Sequence, residues 1–172
     1  ATINRGTKAS GKGVTKVGNN VLLMSYTHVA HDCTIKDNVI LTSYTGLAGE
    51  TEVDEFAILG GGTLAHQFSR IGAHAMIGGG SKITMDVPPF ALAAHEPLSY
   101  VNINVVGLRR RGFSPEKIEM IKDIYRVIYY SGLNRTEACD KVEATFPQCL
   151  ERDLILDFIR SSKRGVIRAV RE

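Results

Sequence analysis

The sequence predicts a mainly β protein, in which a left-handed parallel β-helix of hexapeptide repeats is followed by a small C-terminal α-helical domain. The first observation is a strict period of six: twelve successive sixth positions are apolar, and eleven of them carry a branched aliphatic side chain. These positions are Val17, Leu23, Val29, Ile35, Leu41, Leu47, Val53, Leu59, Ala65, Ile71, Ile77 and Ile83. An α-helix repeats every 3.6 residues and a strand every two, so neither explains the pattern. A triangular solenoid that turns a corner every six residues does explain it, and its hand is the one that hexapeptide repeats adopt.

The second observation is another period of six, which runs four residues behind the first. Its members are small or β-branched: Val21, Thr27, Cys33, Val39, Thr45, Thr51, Ala57, Thr63, Ser69, Ala75, Ser81 and Val87. We expect the aliphatic residues to fill the interior of the solenoid and the small residues to fit near its corners. Because three hexads complete one coil, residues 18 apart should stack at the spacing of about 4.8 Å between neighbouring strands.

The repeat predicts about four regular coils, in a β-helix over residues 1–95 that precedes a helical domain over residues 96–172. Proline cannot donate to a strand ladder, so Asp86–Pro89 should end the regular coils. Ile3 lies out of phase with the repeat, as it would if a loop at Lys8–Thr15 interrupted an earlier coil. We therefore expect the chain to begin inside the solenoid, with further coils before residue 1.

The third observation is a change to helical periodicity in the last third of the chain. Ser114 and Pro115 are typical of an N-cap and a first helical residue, and Gly132 is typical of the position that follows a helix. The remaining predicted elements are a strand-like alternation at Val101, Ile103 and Val105, a second helix that starts near Asn134 or Thr136 and stops before Pro147, and a third helix over residues 150–161.

Composition restricts the classes of function. No run approaches the ~18 apolar residues that span a bilayer. Three cysteines without paired spacing fit a reducing, cytoplasmic compartment better than a disulfide framework. The net charge of +3 is uneven, with basic clusters at Arg109–Arg111 and, near the C-terminus, at Lys163, Arg164, Arg168 and Arg171. Such a cluster is either a solvated face or a docking patch for an acidic partner.

The candidate catalytic segment is Thr27–Asp32, because the aliphatic interior leaves only the outside and the corners for polar chemistry. Val29 points inward, which leaves His28 and His31 on the outer surface near one corner. A carboxylate that accepts from one ring nitrogen of a histidine fixes the tautomer and leaves the other nitrogen to act as a base. Adjacency in the sequence does not show whether Asp32 makes this contact.

Stacking at 18 residues places further groups around His31. Gly49 should lie directly above it, and Gln67 two coils up, roughly 10 Å away. A glycine there lets a substrate approach the backbone, where an N–H can stabilise an oxyanion; the alternative is an ordinary turn glycine. His66 falls in the adjacent column, also about 10 Å from His31, so the two cannot share one metal ion within a single chain.

An ordered set of motifs carries a resemblance to a known family. The motifs are His28-Val-Ala-His31-Asp32-Cys33, Ile58-Leu-Gly-Gly-Gly62 with His66-Gln67-Phe68, Ile71-Gly-Ala-His74, Asp86-Val-Pro-Pro89, and Gly107-Leu-Arg-Arg-Arg-Gly-Phe113. Together they resemble the UDP-N-acetylglucosamine acyltransferases of lipid A synthesis, over residues 2–168. Hexapeptide repeats alone would not be specific, because sugar, serine and nucleotide acyltransferases share them.

The resemblance implies a homotrimer with active sites in the clefts between adjacent solenoids. It implies that an (R)-3-hydroxyacyl chain moves from acyl carrier protein to the glucosamine 3-hydroxyl of UDP-N-acetylglucosamine, the first step of lipid A biosynthesis, in the cytoplasm. Neither a metal, a cofactor nor a covalent intermediate is expected, since the thioester is already activated, and no nucleic acid is expected as a partner. The run Arg109–Arg111 fits the acidic carrier protein.

The resemblance also assigns roles to residues. His31 matches the general base, Asp32 the carboxylate that supports it, and Gly49 the residue whose N–H faces the developing oxyanion. Gly79 matches the position that measures acyl length, where a glycine leaves the groove open for a long chain. The other positions that match substrate contacts are His28, His66, Gln67, Asn104, Arg110 and Arg111, with Asn104 and Arg110 on the nucleotide.

The chain departs from the best-known members at two of these places. Glu50 stands where many carry a histidine after the oxyanion glycine, and Val106 stands where a glutamate meets the nucleotide. Both changes bear on recognition of the sugar and the nucleotide, and neither bears on the transfer chemistry.

Two alternatives stay open. The related UDP-acyl-glucosamine N-acyltransferase also uses a histidine, although the helical tail and Arg110-Arg111 favour the O-acyl enzyme. Solenoids of the carbonic-anhydrase type bind zinc through three histidines across a trimer interface. His31 and His66 are candidates for two such ligands, but Ile71 occupies the place where the third is expected.

Overall fold

The computed structural model describes residues 1–8 and 12–170 and confirms a parallel β-solenoid followed by helices. Strands of two residues recur every six residues from Lys16 to Ile83. The strands are β1 Thr2–Ile3, β2 Lys16–Val17, β3 Leu22–Leu23, β4 His28–Val29, β5 Thr34–Ile35, β6 Ile40–Leu41, β7 Gly46–Leu47, β8 Glu52–Val53, β9 Ile58–Leu59, β10 Leu64–Ala65, β11 Arg70–Ile71, β12 Met76–Ile77, β13 Lys82–Ile83, β14 Ala91–Ala94 and β15 Ser99–Ile103.

Among the described residues, three sheets form the sides of the solenoid. Sheet 1 has the order β1-β4-β7-β10-β13, sheet 2 the order β2-β5-β8-β11, and sheet 3 the order β3-β6-β9-β12-β14-β15. Residues 18 apart pair in register, as His28 does with Gly46 and Gly46 with Leu64. We call the turn from sheet 1 to sheet 2 the first corner, the turn from sheet 2 to sheet 3 the second corner, and the turn from sheet 3 to sheet 1 the third corner.

The hexad positions form the core as predicted. From Val29 to Ile83 every aliphatic position is buried, and the small-residue positions from Thr27 to Val87 are buried beside them. Val17 is 38% exposed and Leu23 is half-buried, because they belong to the first coil and no described coil covers its outer side. Their exposure is a consequence of their place in the stack.

Each corner uses a left-handed backbone conformation, even where the residue is not glycine. Residues such as Asp32, Glu50 and Phe56 have φ values of 59°, 57° and 60°. This conformation is costly for an L-residue, but the N–H of the corner residue donates to a carbonyl of the coil below, as Glu50 does to His31 at 3.0 Å. The ladder of corner hydrogen bonds therefore offsets the strain.

The regular coils end before Asp86–Pro89, as predicted, but the third sheet continues past this segment. Regular hexads stop at Ile83, but β14 still pairs with β12 in parallel, and β15 then pairs antiparallel with β14. Pro89 packs against Gly72, where a Cβ would lie 2.4 Å from the proline nitrogen. The prolines occupy a corner, where no ladder donor is needed, so the third sheet continues beyond them.

In the part of the chain that the structure describes, four helices follow: α1 Val105–Arg110, α2 Pro115–Tyr130, α3 Arg135–Thr145 and α4 Leu150–Ser161. The three predicted helices are confirmed, with Ser114 and Asn134 as N-caps and a capping box between Asn134 and Glu137. The prediction that Val105 belongs to a strand is wrong. Val105 is the first residue of α1, and Asn104 is its N-cap.

The end of the described chain returns to the solenoid. Val166 forms a bridge with Asp86, and Ala169 forms one with Tyr100. Arg171, the last member of the C-terminal basic cluster, lies outside the described residues, as does part of the loop at Lys8–Thr15. The division into domains at residue 95 stays a prediction. Within the described residues, no helix has both the length and the apolar character that a membrane crossing requires.

Candidate active site

The first corner holds the histidine and the aspartate that the sequence singles out. Val29 ends β4 and points inward, so the chain leaves the sheet at Ala30 and turns through His31 and Asp32 before Cys33 fills the interior. The His31 side chain is 34% exposed, whereas that of Asp32 is fully buried. The corner therefore presents an accessible imidazole in front of a carboxylate that is withdrawn from water.

The two side chains are in direct contact. His31 Nδ1 lies 2.9 Å from Asp32 Oδ2. A carboxylate can only accept, so Nδ1 carries the proton and donates it, and Nε2 keeps its lone pair. The left-handed φ of 59° at Asp32 turns its side chain back toward its neighbour. The contact that adjacency alone left open is present, and it leaves Nε2 available as a base.

Gly49 lies in the next coil, directly against the His31 ring. A Cβ on Gly49 would lie 2.5 Å from His31 Cε1 and 2.6 Å from Nε2. Glu50 N donates to His31 O at 3.0 Å, which fixes the register of the two corners. The His31 ring thus leaves no room for a side chain at Gly49. An ordinary turn glycine would not be under this constraint. Among the described residues no acceptor is recorded for the Gly49 N–H.

The other members of this column are where stacking predicts them. Phe68 N donates to Gly49 O at 3.0 Å, so Gln67 lies one coil above Gly49. His66 is exposed, and its Nδ1 lies 3.1 Å from Gln67 O. His28 is exposed on β4 of sheet 1, three residues before His31. These polar groups surround one corner over three successive coils.

A groove of mixed charge adjoins this corner. Glu50 and Phe68 line a cavity of about 570 Å³ whose wall also includes Lys12, Arg70 and Arg164. Arg164 is held there by hydrogen bonds from its guanidinium to the carbonyls of Gln67 and Thr84. The departure at Glu50 therefore adds a carboxylate to a cavity that holds both cations and the carboxylates of Glu52 and Asp86, beside the candidate base.

Gly79 lies elsewhere, at the third corner. A Cβ on Gly79 would lie 3.1 Å from Gly61 O, and one on Gly60 would lie 2.5 Å from Gly79 N. Glycines in two successive coils therefore let the backbones approach closely at this corner. Packing accounts for Gly79 by itself, and its role in measuring acyl length stays a prediction.

The predicted nucleotide contacts cluster at the second corner. Both ends of the Asn104 amide already form hydrogen bonds within the chain: Oδ1 accepts from Gly107 N at 3.1 Å, and Nδ2 donates to His74 O at 3.0 Å. Arg110 is exposed. Arg111 turns inward, donates to Phe56 O at 2.9 Å, and has a buried Nη1 without a hydrogen-bond partner among the described residues. Of the run Arg109–Arg111, two residues face solvent.

The same corner holds an aromatic stack that the sequence pattern was not taken to predict. His74 lies between the rings of Phe56 and Phe90, at centroid distances of 4.9 and 5.5 Å. Burial, with a smaller contribution from the charge of Arg111, lowers the pKa of His74 to about 4. Its ring is therefore neutral in the folded protein at neutral pH. The 18-residue spacing of Phe56 and His74 was a signal for this stack.

Thr7 and Thr15 were also missed, and both contact Asp32. The Thr7 hydroxyl donates to Asp32 Oδ2 at 2.8 Å, and Asp32 N donates to Thr15 Oγ1 at 2.9 Å. Thr15 precedes Cys33 by 18 residues and so belongs to the small-residue register. Thr7 comes from the non-periodic segment before it, where the sequence pattern gave no signal.

One chain does not bring all the predicted residues together. His31, Asp32 and Gly49 lie at the first corner, Gly79 at the third, and Arg111 at the second. A side of six residues spans at most about 20 Å, so the three groups face different directions.

The described residues also bear on two other kinds of site, a metal centre and a nucleophilic thiol. Within residues 1–8 and 12–170, no group of three or more histidine, cysteine, aspartate or glutamate side chains is arranged to hold a metal ion. Cys33 and Cys139 are buried, and burial raises the pKa of both thiols. Neither thiol has the features of an activated nucleophile.

Comparison with known families agrees with the motifs. The family model described as bacterial transferase hexapeptide (six repeats) matches residues 15–49, and the model of the second domain of UDP-N-acetylglucosamine O-acyltransferase matches residues 86–167. An acyl-[acyl-carrier-protein]–UDP-N-acetylglucosamine O-acyltransferase of Chlorobium phaeobacteroides is 61% identical over 165 residues, which cover 95% of this chain and 62% of the relative. The chain thus spans less than two thirds of the length of that relative.

Solved structures show the same relationship. The UDP-N-acetylglucosamine acyltransferase of Bacteroides fragilis superposes with a TM-score of 0.92 at 50% identity, over 95% of this chain and 63% of that one. The enzyme of Campylobacter jejuni superposes with a TM-score of 0.89 at 32% identity, over 98% of this chain and 68% of that one. From its repeats, its helical tail and these matches, the chain belongs to the family of UDP-N-acetylglucosamine O-acyltransferases.

Proposed function

We propose that the protein transfers an (R)-3-hydroxyacyl chain from acyl carrier protein to the 3-hydroxyl of the glucosamine in UDP-N-acetylglucosamine, as the first step of lipid A biosynthesis. The observation that carries the proposal is the contact of 2.9 Å between His31 Nδ1 and Asp32 Oδ2, which leaves Nε2 free at the corner surface. The name of the Chlorobium relative supports the donor and the acceptor.

In the proposed mechanism His31 Nε2 accepts the proton of the sugar hydroxyl as the oxygen attacks the thioester carbonyl. Negative charge then develops on the carbonyl oxygen, and we propose that the Gly49 N–H stabilises it. Collapse of the tetrahedral intermediate breaks the carbon–sulfur bond, and the proton on Nε2 passes to the departing carrier thiolate. The hydrogen bond to buried Asp32 stabilises the imidazolium in between and holds its orientation.

We further propose that the active assembly is a homotrimer with the sites between neighbouring solenoids. The support is the distribution of His31, Gly79 and Arg111 over three corners, because threefold symmetry brings a corner of one copy beside a different corner of the next. In this arrangement the base of one copy meets the second-corner residues of its neighbour, where Arg110 is exposed. The exposed Arg109 and Arg110 suit the acidic carrier protein, and the proposed location is the cytoplasm.

The roles of the remaining residues follow the same scheme. His28, His66 and Gln67 line the corner around His31 and are proposed to contact the acceptor sugar. Asn104 is proposed to act on the nucleotide chiefly by fixing α1, since both ends of its amide already have partners. For Gly79 we retain the prediction of an open groove and a long acyl chain.

The test is a transfer assay with (R)-3-hydroxyacyl carrier proteins of several chain lengths and two acceptors. UDP-N-acetylglucosamine is the expected acceptor, and a UDP-3-acyl-glucosamine with a free 2-amino group is the acceptor of the related N-acyltransferase. The chain is measured beside the full-length relative of Chlorobium phaeobacteroides, of which it covers 62%. Transfer to the hydroxyl acceptor, without a requirement for zinc, supports the proposal.

The absence of any transfer would overturn it, and two other results would assign a different reaction. Transfer only to the amino acceptor would assign the N-acyltransferase reaction. Zinc bound in stoichiometric amount, with activity that is lost on chelation and restored by zinc, would assign a metal-dependent reaction across the trimer interface. Analytical ultracentrifugation of the same samples tests the trimer.

A further inference from the structure

The contact with His31 alone does not satisfy both oxygens of the Asp32 carboxylate. The Asp32 side chain is fully buried, and a buried carboxylate is costly unless each oxygen finds donors. The orientation matters as well, because only Oδ2 lies against His31 Nδ1. Rotation of the carboxylate would remove the acceptor that fixes the histidine tautomer.

Thr7 supplies donors at this place. Its backbone N–H lies 3.2 Å from Asp32 Oδ1 and 3.1 Å from Oδ2, and its hydroxyl donates to Oδ2 at 2.8 Å. The oxygen that accepts from His31 is therefore the one that the Thr7 hydroxyl holds. The backbone of Asp32 is held too, since Asp32 N donates to Thr15 Oγ1 at 2.9 Å.

The local fold explains how Thr7 reaches the first corner. β1 pairs with β4, the strand that leads into His31. Gly6 then packs so closely on the far side of the loop that a Cβ would lie 2.0 Å from Val14 N. The two ends of the loop are thus held together, and they place Thr7 and Thr15 on either side of Asp32.

We propose that Thr7 is a positioning residue for the proposed transfer reaction, acting through Asp32 on His31. Its hydroxyl fixes the carboxylate so that Oδ2 faces Nδ1, which keeps the proton on Nδ1 and the lone pair on Nε2. Thr7 touches neither substrate in this account. The inference rests on the proposed function for its effect on the rate, but its effect on the histidine tautomer is independent of any activity.

The test compares Thr7→Val, which removes only the hydroxyl, with Thr7→Ser, which retains it. Thr42→Val is the matched control, because the Thr42 hydroxyl donates to Leu59 O at 2.7 Å at a different corner. Each protein is measured for kcat and KM in the transfer assay and for the His31 tautomer by ¹⁵N NMR of the imidazoles. His31→Gln assigns the signals among the five histidines.

The hydrogen bond joins a hydroxyl to a charged group, so its loss is expected to lower kcat by about tenfold or more. KM for both substrates should stay within about twofold, since in this account Thr7 does not bind them. Thr7→Ser and Thr42→Val should keep the kcat of the parent protein. In Thr7→Val the His31 signals should show a larger share of the Nε2–H tautomer. If Thr7→Val does not fold, Thr7→Ala is measured in the same way.

Two outcomes would overturn the inference. One is an unchanged kcat and an unchanged His31 tautomer in Thr7→Val. The other is a loss in Thr7→Ser as large as that in Thr7→Val, which would show that Thr7 acts only in packing. If the parent protein transfers no acyl chain, the proposed function fails, and the NMR comparison alone decides the inference: a tautomer shift in Thr7→Val supports it and no shift overturns it.

Discussion

The contact between Gly49 and the His31 ring makes a substitution at this glycine the most informative perturbation. In Gly49→Ala the new methyl group would lie 2.5 Å from His31 Cε1 and 2.6 Å from Nε2. Carbon atoms in favourable contact are about 3.5–4.0 Å apart, so the overlap is about 1 Å. Gly49 is not among the residues with positive φ, which means that the backbone accepts alanine and the clash is with the ring alone.

The ring rather than the backbone should move. The His31 side chain is 34% exposed and can swing toward solvent, whereas Asp32 is buried and cannot follow. A displacement of about 1 Å at a catalytic group costs roughly 10²-fold in rate. The cost in folding free energy is smaller, about 1–3 kcal/mol for overpacking, and about 0.4–1 kcal/mol of it is offset by the lower entropy of the unfolded alanine chain.

We therefore expect the kcat of Gly49→Ala to fall about 10²-fold, while the urea midpoint falls by at most about 1 M. Gly78→Ala is the control, because its nearest contact to a new Cβ is an ordinary 3.5 Å. A double variant makes the test specific: in a His31→Ala background the ring is absent, so Gly49→Ala should add almost nothing. If Gly49→Ala stays within about threefold of the parent rate, or if the two effects simply add, the ring is not held where the structure places it and the reasoning is refuted.

Three further predictions concern stability. Burial lowers the pKa of His74 to about 4. Between about pH 6.5 and pH 4 the imidazole is therefore protonated in the unfolded chain and neutral in the folded protein, so the free energy of unfolding should fall as the pH drops through that window. Urea unfolding at pH 5 and pH 8 should show a smaller pH dependence in His74→Phe than in the parent, and an equal dependence would contradict this. Asn134→Ala removes the capping box of α3 and should cost about 1 kcal/mol in thermal unfolding; an unchanged melting temperature would show that the cap contributes nothing. Leu59→Ala leaves a cavity at a fully buried position and should cost about 2–5 kcal/mol, and a loss below about 1 kcal/mol would mean that the coils collapse to fill it.

The sequence predicted the solenoid well because every coil obeys the same constraint. Each hexad must place one aliphatic residue inside and one small residue at the corner, so the inward positions could be read from Val29 to Ile83 without knowledge of the rest. Helix ends were predicted equally well, since Ser114 and Asn134 cap through contacts with residues three positions away.

Elements that depend on distant contacts were not predicted. The short helix α1 begins after Asn104, whose amide reaches across to His74 O, and this tertiary contact leaves no local pattern. β14 likewise joins sheet 3 with an offset of 16 rather than 18 residues, as Met76 pairs with Leu92. A rule based on strict register could not place it.

The candidate site likewise contains residues that the repeat could place and contacts that it could not. His31, Gly49 and Gln67 could be placed because stacking in register is a property of the repeat. The contact from His31 to Asp32 depends on a left-handed corner, and Thr7 enters from a segment that has no period. These contacts required the structure.

The central claim is that His31 is the general base, and the direct test is the rate of acyl transfer by His31→Ala. The variant should fold as the parent does, because its side chain lies at the surface of a corner, and circular dichroism verifies this. General base catalysis contributes about 10²–10⁴-fold to the rate. The kcat of His31→Ala should therefore be lower by at least two orders of magnitude, with little change in KM. A folded His31→Ala protein that keeps most of the parent activity would contradict the account and move the search for the base away from the first corner.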